Sequence, residues 1–471
     1  MNGRMTSRTL GVWCLATAAG FLLIHGLLAT LMRVKGVTLG AVIPEFAPLY
    51  AYWNPHLKIG LIAPLIASFL YLRWARQGEL AERQSDTAAI FRFTAWFLLL
   101  TLSLPLIDGG PGVWIGPYAS RPDLEYFGAV ETITSFKVFL RDYVSRLDQL
   151  PMHARVHPPG AIVLLAVLTR LFGGGPWAAA LGSIGFSALA VPLVFGLARS
   201  IGGPLLARRA TALFVATPSV LLFTTTSMDG PFMVALIATL VTLWQAFILP
   251  SPRAGMVAGI AAAAASMLTY SVAIVLVFAA IAWAWSLVSR PSTRNRLLLT
   301  GGTALGAFLF THALIWAVTG FNPLDMLQHA ISQDHTIMAG TRHESLSRHL
   351  MLAVGNLSAF AIGAGVPTVS LFFHSLRVGG DASPGQAPEQ ASIMRRFTIS
   401  GAASLFIAAC IPVYTMEVER IWIFLTPLVV IPAAAVLGKF DQEAGSTATL
   451  WTIRLLLGQA ILTEILLGTY W

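Results

Sequence analysis

Long apolar runs separated by short polar connections extend along the whole chain. Runs of about 17–22 residues match the length that an α-helix needs to cross a bilayer. They predict about thirteen spans, at residues 11–32, 58–74, 93–107, 177–198, 210–226, 231–249, 254–269, 271–289, 297–318, 350–373, 397–414, 421–437 and 451–468. The apolar run 161–172 is too short to cross and is expected at the membrane interface. The pattern therefore predicts an all-α polytopic membrane protein that forms one domain over residues 1–471.

Composition narrows the class of protein. Hydrophobic residues make up 56% of the chain, charged residues only 11%, and the mean hydropathy is +0.73. A soluble fold would carry more charge, and a disordered chain would be less apolar. A transmembrane β-barrel would show short alternating segments. The 30 Lys and Arg outnumber the 21 Asp and Glu but form no basic run, so the expected partners are membrane lipids and not nucleic acid.

The distribution of arginine predicts how the chain is oriented. Short cytoplasmic loops carry an excess of Lys and Arg in membrane proteins. Placing the N-terminus in the cytoplasm puts most arginines there, whereas counting 161–172 as a span would move Arg199, Arg208 and Arg209 outside. The chain is therefore expected in the cell membrane with an extracytoplasmic loop at 108–176 and a second at 319–349.

This orientation gathers the chemically useful side chains on the outer side. Carboxylates next to a bilayer are costly and often functional. The outer candidates are Asp108, Asp123, Glu125, His153, Arg155, His157, Asp229, His335, His343, Glu419 and Arg420. The histidines of the second loop lack tight ligand spacing, so no metal site is predicted. Three candidates also have a structural interpretation: Asp123 and Asp229 as helix caps, and Arg420 as the partner of Glu417 or Glu419.

The 108–176 loop carries the most specific signals. Pro122 and Asp123 suit the start of a helix, and the apolar residues that follow have helical spacing, which predicts an amphipathic helix on the membrane. Residues 150–160 are expected to be extended because they are rich in proline. That stretch contains His153, Arg155 and His157.

The order of these motifs resembles a known family. An acidic loop with Asp123 and Glu125, then His157-Pro158-Pro159, then Asp229 at the head of a span is similar to the GT-C glycosyltransferases. Among them it is most similar to the protein O-mannosyltransferase and aminoarabinose-transferase type. The resemblance extends from residue 123 to about residue 248. Two features depart from the family pattern: two extra spans precede the acidic loop, and Leu268-Thr269-Tyr270-Ser271 lacks the usual lysine.

The resemblance implies a GT-C-like fold and an inverting transfer from a polyprenyl-phosphate sugar to an envelope glycan, lipid or protein. A carboxylate would take the proton from the acceptor hydroxyl, with Asp123 as the first candidate and Asp108 and Glu125 as alternatives. Asp229 would orient the acceptor or hold a divalent cation, although the sequence does not require a cofactor. The remaining outer histidines, arginines and Glu419 would contact the substrates, with cationic groups at the leaving phosphate.

Two other functions fit a polytopic membrane protein. A transporter or lipid flippase would place charges at mid-membrane and often shows two related halves, and neither is visible in the sequence. A lipid-linked oligosaccharide ligase or polymerase would use arginine and histidine in a late outer loop, so the 319–349 segment keeps this alternative open.

Overall fold

The structure is a computed structural model that describes residues 7–36, 39–41, 43–79, 85–337, 346–377, 388–411, 416–444 and 447–469. Most of these residues are helical. The α-helices are α1 (Ser7–Lys35), α2 (Ile62–Trp74), α3 (Asp86–Ser103), α4 (Gly116–Ala119), α5 (Phe136–Arg141), α6 (Met152–Arg155), α7 (Gly160–Leu171), α8 (Gly175–Ser187), α9 (Ala190–Val215), α10 (Pro218–Phe223), α11 (Asp229–Ile248), α12 (Pro252–Ser266), α13 (Val272–Ser289), α14 (Arg294–Thr319), α15 (Pro323–Ile337), α16 (Leu346–Ala364), α17 (Val366–Arg377), α18 (Pro388–Cys410), α19 (Val418–Ile421), α20 (Thr426–Ala444) and α21 (Thr447–Leu466).

Short 3₁₀ segments connect several of these helices. They are Pro44–Phe46, Ile59–Leu61, Leu104–Ile107, Pro111–Ile115, Tyr126–Thr132, Val144–Gln149, Pro291–Thr293 and Ile423–Leu425, and Ala75–Glu79 is a π-helical turn. Among the described residues the only strands are β1 (Ala51–Trp53) and β2 (Leu467–Thr469), which pair antiparallel with Tyr52 opposite Gly468.

The predicted all-α membrane fold is confirmed, but the number of spans is not. Within the described residues, 10 helices are long and apolar enough to cross a membrane, or 11 if one bent pair counts as a span. That pair is α16 and α17, which meet at 113°. Gly365 lies between them with φ +94°, a conformation that favours glycine.

Two predicted spans are shorter than the apolar pattern suggests. Pro218 interrupts the 210–226 run, so that α9 ends at Val215 and α10 has only 6 residues. The 254–269 run becomes α12, whose 15 residues fall short of a bilayer. Helix α9 also contains non-helical residues at Gly202 and Gly203. Proline and glycine therefore divide apolar runs that hydropathy alone treats as continuous.

The helices group into two compact units. The first unit comprises Met1–Gly110, Ala188–Thr224 and Glu344–Tyr470. In it α9 packs against α3 and α20, and α17 packs against α20 and α1. The second unit comprises Pro111–Ser187 and Thr225–His343.

Helices α11 to α14 and the outer loop form most of the second unit. Helix α12 packs against α14 and α11, and α11 also contacts α8 and α13. The large apolar core of this unit joins Tyr126, Phe232 and Phe321 with residues of α7 and α8. The loop therefore packs on the end of the bundle where α11 begins and α14 ends.

The loop differs from its prediction in two places. Instead of an amphipathic α-helix after Pro122, a 3₁₀ segment spans Tyr126–Thr132. The chain folds back so tightly here that a Cβ on Gly128 would lie 1.9 Å from the Pro122 carbonyl oxygen. The expectation that residues 150–160 are extended is also wrong, since Met152–Arg155 form a helical turn. The apolar run 161–172 forms the short helix α7, with 12 residues, and its place at the membrane interface stays a prediction.

Candidate active site

Backbone pairing joins the two polar segments of the outer loop. The amide of Met152 donates to the carbonyl of Asp123 over 2.9 Å, and the amide of His153 donates to the carbonyl of Leu124 over 3.1 Å. This pairing sets Glu125 beside the turn that carries His153. Two segments that are about 30 residues apart in sequence thus form one local structure.

Glu125 and His153 form the polar centre of this structure. The Oε1 atom of Glu125 lies 3.4 Å from Nδ1 of His153, and the two side chains are 6% and 20% exposed. The Asp123 side chain, in contrast, is exposed. Of the two acids in this motif, Glu125 is therefore the one that the fold buries.

Aromatic rings surround the pair. The Tyr126 ring centroid lies 6.0 Å from that of His153, 5.8 Å from that of His157 and 5.9 Å from that of Phe232. His157 stacks on Phe232 with an interplanar angle of 7°. These contacts fix the imidazoles against the start of α11 and keep the neighbourhood apolar.

The turn that holds both histidines is fixed from two sides. The Tyr143 hydroxyl lies 2.8 Å from the Ala154 carbonyl oxygen and 3.1 Å from that of His157, and it donates into this turn. After Pro158 and Pro159, the amide of Gly160 donates to the Met267 carbonyl over 2.8 Å. A Cβ on Gly160 would lie 2.2 Å from that oxygen, so this close approach requires glycine.

Asp229 belongs to the same cluster. Its carboxylate accepts a hydrogen bond from the Ser227 hydroxyl over 2.5 Å, and only 9% of the residue is exposed. Burial raises the pKa of Tyr118, a hydrogen bond with Ser183 partly offsets this, and the negative charges of Glu125 and Asp229 raise it further. Both carboxylates therefore act on one buried hydroxyl.

Arg155 lies on the same turn but is held by the backbone. Its Nε donates to the Leu150 carbonyl over 2.9 Å. The predicted members that the second unit brings together are thus Glu125, His153, Arg155, His157 and Asp229.

Asp108 lies in the first unit with partners of its own. Its carboxylate is 2.6 Å from Nε2 of His56, and its carbonyl accepts a hydrogen bond from Lys58. Its carboxyl group also forms a hydrogen bond with Glu464 of α21. About half of the Asp108 side chain is exposed.

Glu419 and Arg420 also lie in the first unit. Arg420 forms an ion pair with Glu417, which confirms the structural interpretation of this arginine. Glu419 is buried and accepts a hydrogen bond from the Tyr50 amide over 2.8 Å. Burial raises the pKa of Glu419 to about 7, although hydrogen bonds from the backbone of Tyr50 and of Glu419 itself act in the opposite direction.

The structure describes only one of the two histidines predicted to act in the second outer loop. His335 lies in α15, and His343 lies outside the described residues. Among the residues that the structure describes, no group of three or more His, Cys, Asp and Glu could hold a metal ion.

The sequence did not indicate three residues that contact the site or its acids. Tyr118 and Tyr143 lie in the outer loop without any motif, and Ser227 precedes Asp229 by two positions. A serine two residues before a helix-starting acid is the one local signal that was available. The tyrosines are recognisable only once the loop is folded.

Comparison with known proteins gives one family match. The family model described as dolichyl-phosphate-mannose-protein mannosyltransferase matches residues 156–316, about a third of the chain. The match includes His157 and Asp229 and begins after Glu125 and His153. No curated protein matches the chain.

Two solved structures match parts of the chain. ArnT from Cupriavidus metallidurans bound to undecaprenyl phosphate has 16% sequence identity and a TM-score of 0.46, over 75% of this chain. This chain spans 61% of the length of that protein. The apo form of ArnT has 15% identity and a TM-score of 0.29, over 80% of this chain and 78% of that one. The family match confirms the resemblance to the GT-C glycosyltransferases of the protein O-mannosyltransferase type.

Proposed function

We propose that this protein is an inverting membrane glycosyltransferase that moves one sugar from a polyprenyl-phosphate donor to an acceptor hydroxyl. The observation that carries the proposal is the cluster of the buried acids Glu125 and Asp229 with the partly buried His153 at one end of an apolar helical bundle. The matching family description names a dolichyl-phosphate mannose donor and a protein acceptor, which supports this reaction class. A lipid or glycan acceptor would use the same chemistry.

The reaction needs a group that removes the acceptor proton while the hydroxyl oxygen attacks the anomeric carbon. Glu125 lies within the cluster, and we propose that it belongs to the catalytic centre. Asp123 and Asp108 are the alternative carboxylates. Asp229, held by Ser227, is proposed to orient the acceptor. Direct displacement of this kind inverts the anomeric centre.

Cationic and hydrogen-bonding groups would stabilise the leaving phosphate. Arg155 and His157 are the proposed contacts on the second unit. Glu419 and Arg420 on the first unit, with His335 and His343 of the second outer loop, stay predictions as substrate contacts. The chemistry needs no nucleotide site.

The arginine distribution supports an extracytoplasmic site. Helices α11 and α13 end, and α12 and α14 begin, near Arg253, Arg290, Arg294 and Arg296. Asp229 starts α11 at its other end. Because short arginine-rich loops face the cytoplasm, we propose that the cluster faces outward and that the N-terminus is cytoplasmic.

Transfer by purified protein in lipid nanodiscs tests the proposal. The protein is incubated with a panel of polyprenyl-phosphate hexoses and pentoses and with envelope extract as acceptor, and products are analysed by mass spectrometry. We expect one added sugar of inverted configuration. Movement of labelled lipid without a glycosyl product, or transfer of a preformed chain from a diphosphate carrier, would overturn the proposal.

A further inference from the structure

The imidazole of His153 lies at ion-pair distance from the buried carboxylate of Glu125 and is the more exposed of the two side chains. Glu125 is 6% exposed at the side chain, His153 is 20% exposed, and Oε1 and Nδ1 are 3.4 Å apart. We propose that His153 is the group that accepts the proton from the acceptor hydroxyl, and that Glu125 positions and stabilises its imidazole. This inference rests on the proposed glycosyl transfer and names the proton acceptor of that site.

The geometry assigns each ring nitrogen a role. A carboxylate beside Nδ1 favours the tautomer with its proton on Nδ1, and Nε2 then becomes the proton acceptor. The separation of 3.4 Å is long for a hydrogen bond. Catalytic hydrogen bonds of this kind are often long without substrate and shorten when the substrate binds.

The backbone holds the pair in register. Hydrogen bonds from Met152 to Asp123 and from His153 to Leu124 keep the two segments side by side. The Tyr143 hydroxyl fixes the turn that follows His153. A carboxylate that orients an imidazole needs this kind of support, since a displacement of about 1 Å can cost 10²-fold in rate.

The proton and electron balance of the step is complete. The acceptor O–H bond breaks as its oxygen forms a bond to the anomeric carbon, and the proton moves to Nε2 of His153. The bond between the anomeric carbon and the phosphate oxygen breaks, and its electron pair leaves with the polyprenyl phosphate. The carboxylate of Glu125 offsets the charge of the imidazolium, and the proton then passes to water or to the phosphate.

Other titratable groups face this pair. The ring of Tyr126 packs against His153, and His157 in turn packs against Tyr126. Tyr118 senses the charges of Glu125 and Asp229. Single variants of Glu125 and His153 therefore isolate the contribution of the pair from that of its neighbours.

The variants Glu125→Gln, His153→Gln and the double variant test the pair, with Glu131→Gln as a matched control. Glu131 is an exposed acid in the same 3₁₀ segment. We expect His153→Gln to lower kcat 10²–10⁴-fold, the usual effect of losing a general base. We expect donor binding to be retained and Glu131→Gln to behave as wild type.

The coupling between Glu125 and His153 tests the inference more directly than the single variants do. Glu125→Gln should lower kcat more than it changes KM, because the amide no longer holds the imidazole in the tautomer that accepts the proton. The double variant should be no slower than His153→Gln, since Glu125 acts through His153. Near wild-type activity of His153→Gln, or additive losses in the double variant, would overturn the inference. So would an Asp123→Asn variant that loses transfer while His153→Gln keeps it.

A second measurement separates this inference from the proposed function. NMR of ring-labelled histidine, assigned with the His153→Gln spectrum, reports which ring nitrogen of His153 carries the proton. Glu125→Gln should reduce the share of the tautomer with its proton on Nδ1, even in protein that is not turning over. If wild-type protein transfers no sugar, the proposed function fails; an unchanged His153 tautomer in Glu125→Gln overturns the pair alone.

Discussion

Gly160 shows how one residue positions the histidine turn. Its amide bonds to the Met267 carbonyl, and a Cβ there would lie 2.2 Å from the carbonyl oxygen, which is backbone and cannot move aside. Gly160→Ala should therefore destabilise the protein by roughly 1–3 kcal/mol, the usual cost of overpacking. It should also reduce activity, because it displaces His157.

Thermal unfolding in detergent measures this effect. Gly185→Ala in α8 is the matched control, since no atom lies within 4 Å of the Cβ that it would add. The control should be as stable as wild type or slightly more so. Equal melting temperatures for the Gly160 and Gly185 variants would contradict the packing argument.

Glu419 is predicted to make stability depend on pH. Burial raises its pKa to about 7 in the folded protein, above the ordinary value of 4.5. The folded state thus holds the proton more tightly, so the stability that this group contributes is complete below pH 4.5 and is lost as pH rises through 7. Glu419→Gln keeps an oxygen for the Tyr50 amide and removes the ionisation.

We expect Glu419→Gln to flatten the decline in melting temperature between about pH 5 and pH 8. The gain at pH 8 has an upper limit of about 3 kcal/mol. Glu389→Gln, which replaces an exposed acid in α18, is the control. Parallel pH curves for wild type and Glu419→Gln would show that this carboxyl is not responsible.

At the level of elements, glycines allow α12 and α14 to pack closely. A Cβ on Gly259 would lie 2.1 Å from the Ala304 carbonyl oxygen, and one on Gly255 would lie 2.2 Å from Oγ1 of Thr303. Small residues four positions apart are typical of close helix pairs in membranes. Gly259→Leu should separate the helices, whereas Gly306→Leu on α14 adds a side chain where no atom lies within 4 Å.

Fluorescence-detected size-exclusion chromatography of the two variants checks this. We expect several-fold less monodisperse protein for Gly259→Leu and a normal profile for Gly306→Leu. Similar yields from both would mean that the helix pair tolerates separation.

The sequence predicted the elements better than their interruptions. Apolar periodicity and length suffice for spans such as α11 and α13, because a bilayer demands them. The breaks at Pro218 and Gly365 depend on local backbone conformation within runs that hydropathy scores as uniform. For the site, the sequence motifs identified the acidic motif, the histidines and Asp229, which the fold brings together. It could not indicate that Glu125 is buried and Asp123 exposed, because tertiary packing of the Tyr126–Thr132 segment decides that.

At the scale of the whole molecule, the second unit separates its polar cluster from its arginines. Helix α14 runs from Arg294 to Thr319, and its 26 residues give a length of about 39 Å. Phe321, just after its end, contacts the ring of Tyr143 near the histidine turn. The arginine end and the cluster end are thus far enough apart to lie on opposite sides of a bilayer.

Cysteine labelling in intact cells tests this orientation. In a variant that lacks Cys14 and Cys410, single cysteines replace Asp123 and Arg294, both of which are exposed. A membrane-impermeant maleimide should label the Asp123→Cys protein in intact cells. It should label the Arg294→Cys protein only after the membrane is permeabilised, because loops rich in Lys and Arg face the cytoplasm. The reverse pattern would place the Glu125 cluster in the cytoplasm, away from any extracytoplasmic acceptor. Labelling of both sites in intact cells would mean that α14 does not cross the membrane.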